Sequence, residues 1–258
     1  MAEPRTIRSK DNPLLVRVRK LVADPGAYRK LGEVWLEGDH LCSAFVQRGG
    51  RALQAVVSSE GWSRPALRQL AAHAAAVAVV PAELMAGLST LESPPAIGFV
   101  VATPTAPAIT PDAATVVLDR LQDAGNVGAI LRSASAFGFA QIVTLKGTAA
   151  LWSPKVLRAG MGAHFALRLV EGADAEALAA LRVPLLGTSS HAGQALHEID
   201  LPWPCAWVLG HEGQGVSAAL AQRCAMALRI PQPGGEESLN VAAAAAVCLY
   251  ESARQRAA

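Results

Sequence analysis

Apolar residues along this chain fall in short blocks separated by amphipathic stretches, and the two periods predict alternating strands and helices. In the first hundred residues the blocks Val34 to Leu36, Gln54 to Ser58, Ala76 to Val80 and Ile97 to Val101 predict strands, with helices near Asn12 to Val22, His40 to Gln47 and Pro65 to Ala74. Further on, strands are predicted at Thr115 to Asp119, Gln141 to Leu145, Val183 to Thr188, Ala206 to Leu209 and Ala227 to Ile230, and helices include Val216 to Cys224 and Asn240 to Arg254. Alternation of this kind predicts an α/β fold with a largely parallel sheet covered on both faces. Between the two sets lies Ala102 to Asp112, with three prolines and no charge before Asp112, the composition of a stiff extended connector. The expected organisation is a small α/β module over 1–102, a Pro-rich linker over 103–111 and a second module over 112–258.

With 258 residues of which 52% are apolar, the chain can bury a core and is not expected to be disordered. Its apolar runs, such as Val241 to Tyr250, fall well short of the ~20 residues that span a bilayer, so no membrane helix is expected. The N-terminal stretch has Glu3, Arg5, Arg8 and Lys10 and no apolar signal region, which predicts a cytoplasmic protein. Cys42, Cys205, Cys224 and Cys248 are scattered without a C-x-x-C pair and read as buried free thiols. His164, His191, His197 and His211 lack metal-ligand spacing, so no metal site is expected. The net charge of +2 is uneven: residues 1–30 carry +5 and the remainder −3. A basic patch of that kind suits phosphate backbones, and a solvated helix face explains it equally well.

Three loops hold candidate chemistry. Asp119 to Gly128 follows an apolar strand and opens a helix for which Asn126 is a candidate cap and which Gly138 would end; Val127, Ile130, Leu131 and Ala134 make its apolar stripe, while Gly128, Arg132 and Ser135 share another face. An arginine behind a crevice-facing loop suits an anionic or developing-oxyanion partner, with a surface ion pair as the alternative. The second loop, Trp207 to Ser217, is glycine-rich with spacing G-x-x-G-x-G, which is not the dinucleotide fingerprint. Gly210 there either lets a ligand approach the main chain or serves an ordinary turn. The third, Ile230 to Val241, precedes an Ala-rich helix for which Ser238 is a good cap, leaving Leu239 and Asn240 in the first turn. No G-x-x-x-x-G-K-[ST] loop and no G-x-S-x-G elbow occur, which disfavours nucleoside triphosphate hydrolysis and serine hydrolase chemistry.

The runs D-x-x-N-x-G-x-x-x-R at Asp123 to Arg132, L-G-x-E-G-x-G at Leu209 to Gly215 and I-P followed by S-L-N-V within Ile230 to Val241 resemble, in order, the three motifs of the SpoU (TrmH-type) branch of the SPOUT RNA methyltransferases. The likeness covers about residues 112–256; Ser9 to Pro13 and Trp35 to Gly38 resemble the RNA substrate-binding domain that these enzymes often carry. Ala124 departs from the family's usual proline and removes no reactive group.

The resemblance implies a C-terminal SPOUT domain with a trefoil knot, a smaller N-terminal substrate-binding domain, and S-adenosyl-L-methionine-dependent 2'-O-ribose methylation of RNA without a metal. It assigns Arg132 the central catalytic role, with Asn126, Glu212, Ser238 and Asn240 positioning it and the ribose, and main-chain cofactor contacts at Thr188, Leu209, Gly210, Ile230 and Leu239. Arginine is too weak an acid to serve as a base, so an electrostatic role toward the forming alkoxide is preferred. The resemblance also implies a homodimer with the active site at its interface, to which the last helix could contribute; an intramolecular core helix is the alternative. By charge, Arg8, Lys10, Arg17 and Lys20, with Lys155 and Arg158, are the candidate RNA contacts. The extra N-terminal domain favours large-subunit ribosomal RNA and a guanosine, with transfer RNA as the alternative. A catalytically inactive RNA-binding scaffold and a nucleotide-binding oxidoreductase are the competing classes, the latter opposed by the missing dinucleotide fingerprint.

Overall fold

The structure is a computed structural model, and it describes residues 3–189, 192–234 and 238–257. His191 and the stretch Gly235-Glu236-Glu237 of the third motif lie outside the described residues. The chain forms two compact units: Met1–Thr105 with Trp152–Phe165, and Ala106–Leu151 with Ala166–Ala258. The segment Trp152–Phe165, which the sequence reading puts in the second module, thus groups with the first.

The first unit contains β1 (Arg5–Thr6), α1 (Pro13–Ala23), α2 (Ala27–Leu31), β2 (Glu33–Glu37), α3 (Asp39–Gln47), β3 (Ala52–Ser58), α4 (Ser59–Trp62), α5 (Pro65–Ala71), β4 (Ala74–Val80), α6 (Ala82–Ala86) and β5 (Ile97–Ala102). Its sheet runs β1-β4-β3-β5-β2. β1, β4 and β3 pair in parallel, whereas β5 runs antiparallel to both β3 and β2. The carboxyl ends of β2, β3 and β4 therefore share one edge of the sheet. α1 starts where Asn12 accepts a hydrogen bond from the Leu14 N–H and Pro13 occupies the first helical position, and it buries Leu15, Val18 and Leu21.

The second unit contributes β6 (Thr115–Asp119), α7 (Ala124–Ala136), β7 (Gln141–Leu145), β8 (Arg168–Ala173), β9 (Leu185–Thr188), β10 (Gln194–Ala195), β11 (Ala206–Gly210), α9 (Ala218–Ala221), β12 (Met226–Arg229) and α10 (Val241–Ala257); α8 (Pro154–Gly160) belongs to the first unit. The sheet order is β10-β12-β9-β11-β6-β7-β8 and every pairing is parallel. The central strands β6, β7 and β11 are buried at every position, as near-continuous apolar strands covered on both faces must be. On one side Val117, Val143, Val208, Leu185 and Leu220 belong to a common core cluster. α10 packs on α7 and β11, and the buried Trp207 donates from Nε1 to Ser252 Oγ at 2.9 Å, fixing the helix to the strand. Among the described residues no helix is long and apolar enough to cross a membrane, and no cluster of His, Cys, Asp and Glu is placed to hold a metal ion.

Candidate functional site

Parallel sheets bind ligands in the crevice outside the carboxyl ends of their strands, where the connecting loops diverge. In the second unit Asp119 ends β6 and pairs in register with Gly210, which ends β11; Thr188 ends β9, aligned with Leu228 of β12. Ile230 follows β12, and Ser238, Leu239 and Asn240 precede α10. The candidate cofactor contacts Thr188, Leu209, Gly210 and Ile230 are thus all placed at the carboxyl edge of adjacent strands.

The first loop is built around Asp119, only 2% exposed. Its carboxylate accepts from Arg120 Nε at 2.9 Å, from Arg120 Nη2 at 3.4 Å and from the Ser217 N–H at 2.7 Å, while Arg120 Nη1 donates to Gln214 Oε1 at 3.1 Å. Burial pushes the Asp119 pKa up, but the donors on Arg120 and Ser217 outweigh it and hold it below the ordinary value. This clamp ties the first loop to the glycine-rich one. The sequence reading missed it; the signal was a carboxylate ending an otherwise apolar strand.

α7 is capped by Asp123, whose Oδ1 accepts from the Asn126 N–H at 2.8 Å, which corrects the assignment of the cap to Asn126. The Asn126 side chain is left for longer-range contacts. Its Nδ2 donates to Glu212 Oε1 at 3.3 Å, and its Oδ1 accepts from Asn240 Nδ2 at 3.1 Å. Glu212 also accepts from the Asp123 N–H at 3.1 Å and the Gln122 N–H at 3.3 Å. Burial raises the Glu212 pKa, and the amide donors of Glu212 itself, Asp123, Gln122 and Asn126 more than reverse this, so the group stays ionised below the usual range. Asn240 Oδ1 in turn accepts from the Ala242 N–H at 2.9 Å and the Ala243 N–H at 3.3 Å, so Asn240, not Ser238, caps α10. Glu212, Asn126 and Asn240, one from each of the three motif loops, form one hydrogen-bonded chain.

The remaining candidates sit as follows. Arg132 is exposed on α7 and its side chain makes no hydrogen bond or ion pair among the described residues, which removes the surface ion pair as its explanation there. Ser238 and Leu239 are exposed, Leu239 by 41%. Gly210 is required by the chain itself: a Cβ there would lie 2.0 Å from the Gly215 carbonyl carbon and 2.1 Å from the Val216 nitrogen. The close approach comes from its own turn, as in the second of the two readings left open above. In the first unit Arg8, Lys10 and Lys20 are exposed. Arg17 is ion-paired to Glu33 at 2.7 Å and Arg158 to the buried Glu37 at 2.9 Å, so these two basic candidates already have anionic partners.

A model described as the SpoU rRNA Methylase family matches residues 113–250. The 23S rRNA (guanosine-2'-O-)-methyltransferase RlmB of Bordetella pertussis is 37% identical over 145 residues, 55% of this chain, and the chain spans 59% of that relative's length. An uncharacterised tRNA/rRNA methyltransferase of Synechocystis is 34% identical over 268 residues, covering 97% of this chain and 94% of the relative. The structure of the SpoU methyltransferase AviRb from Streptomyces viridochromogenes in complex with the cofactor AdoMet superimposes with a TM-score of 0.85 at 26% identity, covering 96% of this chain and 99% of that one. With the family match over more than half of its length and a full-length relative at this identity, the chain belongs to the SpoU rRNA methylase family.

Proposed function

We propose that this protein is an S-adenosyl-L-methionine-dependent RNA 2'-O-ribose methyltransferase acting on large-subunit ribosomal RNA at a guanosine. The observation that carries the reading is the Glu212–Asn126–Asn240 chain, which gathers three motif loops at the carboxyl edge of one parallel sheet. Support for the RNA and the position comes from the printed activity of the RlmB relative.

The residues present fit the cofactor. Leu239 offers exposed apolar surface, Ile230 and Thr188 are half-buried, and Gln232 Oε1 is a buried acceptor with no partner among the described residues, available to a donor on the bound group. Thr188, Leu209, Gly210, Ile230 and Leu239 would hold it mainly through main-chain atoms. When bound, it supplies an electrophilic methyl group for a ribose 2'-oxygen.

Asn126 and Asn240 have their amide groups committed to each other, to Glu212 and to the α10 amides, so they act by orienting the site. Glu212 accepts three donors and is held ionised, which suits holding the loops together. The Arg132 guanidinium stabilises the alkoxide character that develops as the 2'-hydroxyl loses its proton. Ser238, exposed just before the Asn240 cap, is free to hydrogen-bond the ribose.

The reading includes the family's trefoil knot, a homodimer and action in the cytoplasm, where ribosomal RNA is found. For the dimer, support comes from α10: Ala243, Val247 and Tyr250 are exposed at i, i+4 and i+7, with Val247 40% and Tyr250 54% accessible, an apolar stripe on a helix that packs on the Arg132 helix.

The test is methyl transfer from labelled S-adenosyl-L-methionine to ribosomal and transfer RNA, followed by mapping of alkali-resistant linkages. One 2'-O-methylated guanosine in large-subunit RNA is expected. Label on a base, or none on RNA, would overturn the proposal.

A further inference from the structure

The first unit has a cavity of about 500 Å³ at the edge where β2, β3 and β4 end, bordered by α4 to α6 and by the approach to β5. This volume lies within the roughly 300–1,000 Å³ of small-molecule sites, and the carboxyl edge of an α/β sheet is where such sites form. Leu67, Met85 and Pro95 supply apolar lining, and Asp39, Glu60 and Arg64 supply charge. Glu60 and Arg64 stand i, i+4, yet neither side chain has a hydrogen-bond or ion-pair partner among the described residues. Asp39 spends one oxygen on the adjacent His40 N–H at 2.9 Å and keeps the other.

A cavity lined by two carboxylates, one guanidinium and a few apolar side chains suits a ligand that has donors on one edge and acceptors on another. Ionised carboxylates only accept and a guanidinium only donates. Among the nucleobases, guanine alone sets a ring N–H beside an amino group, matching a carboxylate, while its O6 and N7 accept together and match an arginine fork. The uracil ring N–H lies between two carbonyl oxygens, and cytosine and adenine each set their amino group beside a ring acceptor, so none of the three has a pair of adjacent donors. RNA readers recognise bases that are splayed out of single strands, which suits a slot of this size.

We propose that this cavity binds a single unstacked guanine of the RNA, with Asp39 or Glu60 on its N1–H and amino edge, Arg64 on O6 and N7, and Leu67, Met85 and Pro95 against its faces. Every lining residue belongs to the first unit, whereas the residues proposed for methyl transfer belong to the second. That the guanine belongs to RNA rests on the proposed methyltransferase function; the pocket's base preference does not.

Met85 gives the readout, being one of four methionines in the chain. In the full-length protein with ¹³C-methyl methionine, the Met85 resonance, assigned through Met85→Leu, is followed during titration with guanosine 5'-monophosphate and uridine 5'-monophosphate. It should move with the first and not with the second. Asp39→Asn with Glu60→Gln, and separately Arg64→Ala, should weaken guanosine monophosphate binding about tenfold or more, the worth of one good bidentate base contact. S-adenosyl-L-methionine affinity should stay as in the wild type. An unmoved Met85, an equal response to both nucleotides, or unchanged binding in the variants overturns the pocket. Protein that answers guanosine monophosphate at Met85 but transfers no methyl group supports the pocket and sinks the methyltransferase reading; active protein with a silent Met85 does the reverse.

Discussion

The side chains of Asn126 and Asn240, 114 positions apart in sequence, are joined by a hydrogen bond of 3.1 Å. The direction of that bond is forced. Glu212 can only accept, so Asn126 must turn its amino group toward Glu212 and its oxygen toward Asn240; the α10 amides can only donate, so Asn240 must turn its oxygen to them and its amino group to Asn126. Two ends of fixed polarity therefore set both amides, and the three loops are locked in one relative arrangement.

Asn240→Asp separates the cap from the link. The carboxylate still accepts from the Ala242 and Ala243 amides, so α10 should remain capped. It cannot donate to Asn126, and turning the Asn126 amide around would set its oxygen against Glu212. Thermal stability should change little while single-turnover methyl transfer falls about a hundredfold, the cost of an angstrom-scale misplacement. Asn240→Ala, by contrast, should also lose ~1 kcal/mol from the missing cap. Equal turnover in wild type and Asn240→Asp would remove the orienting role of the link.

Much of this arrangement was legible in the chain. β6 and β7 have the bounds read from their apolar blocks because both faces of these strands are buried and the signal is continuous. The stripe Val127, Ile130, Leu131 and Ala134 is buried as its spacing requires. The misses have physical causes. β8 went unread because it lies at the sheet edge, with Arg168 exposed and Gly172 at φ 68°, so no apolar run marks it. α5 was extended to Ala74 on alanine's helix propensity, whereas Ala74 opens β4 through pairing with β3. Asp123 and Asn126, and Ser238 and Asn240, are equally good caps a few residues apart, and only the observed hydrogen bonds choose between them. That Asn126, Glu212 and Asn240 belong to one site came from the motif resemblance, since contacts over such separations leave no local periodicity.

Arg132→Ala should lower methyl transfer by about a thousandfold, as expected when an oriented donor to a developing oxyanion is removed. S-adenosyl-L-methionine affinity, measured by calorimetry, should hold, because none of the proposed cofactor contacts is made by Arg132. Arg132→Lys should rescue only in part, since an ammonium keeps the charge but not the fork. Turnover at the wild-type rate in Arg132→Ala would end the electrostatic mechanism.

Two glycines of the same loop should respond differently. In Gly210→Ala the new methyl would meet main-chain atoms about 2 Å away, so the turn must open, at a cost of about 3 kcal/mol or more. In Gly215→Ala there is open space around the new methyl, and only the left-handed backbone at φ 67° is penalised, by about 1 kcal/mol. Melting temperature and cofactor affinity should therefore fall together in the first variant and much less in the second. A Gly210→Ala protein as stable as wild type would contradict the close packing of this turn.

The Glu212 carboxylate ties folding to pH. Its folded-state pKa lies below its ordinary value, so its stabilisation is fully present above the unfolded value of ~4.3 and disappears as pH falls through the folded one. In Glu212→Gln an amino group replaces one of the accepting oxygens that face Gln122, Asp123 and Asn126. The wild type should melt above this variant at pH 7, and the gap should close on acidification below about pH 4. A gap independent of pH would show that charge at this position is not what holds the loops.

Arg158 separates a structural role from RNA contact. Its Nη1 donates to Glu37 Oε2 at 2.9 Å, and the Glu37 side chain is only 3% exposed, with Oε1 lacking any partner among the described residues. Removing the arginine strands a buried carboxylate, which costs about 3–5 kcal/mol. Glu37→Gln with Arg158→Met replaces the pair by groups that need no counter-charge and should recover most of that loss. If Arg158 serves folding, RNA affinity in the stable double variant should match wild type, and its salt dependence should be unchanged because no phosphate contact has been lost. A shallower salt slope in the double variant would instead return Arg158 to the RNA contacts.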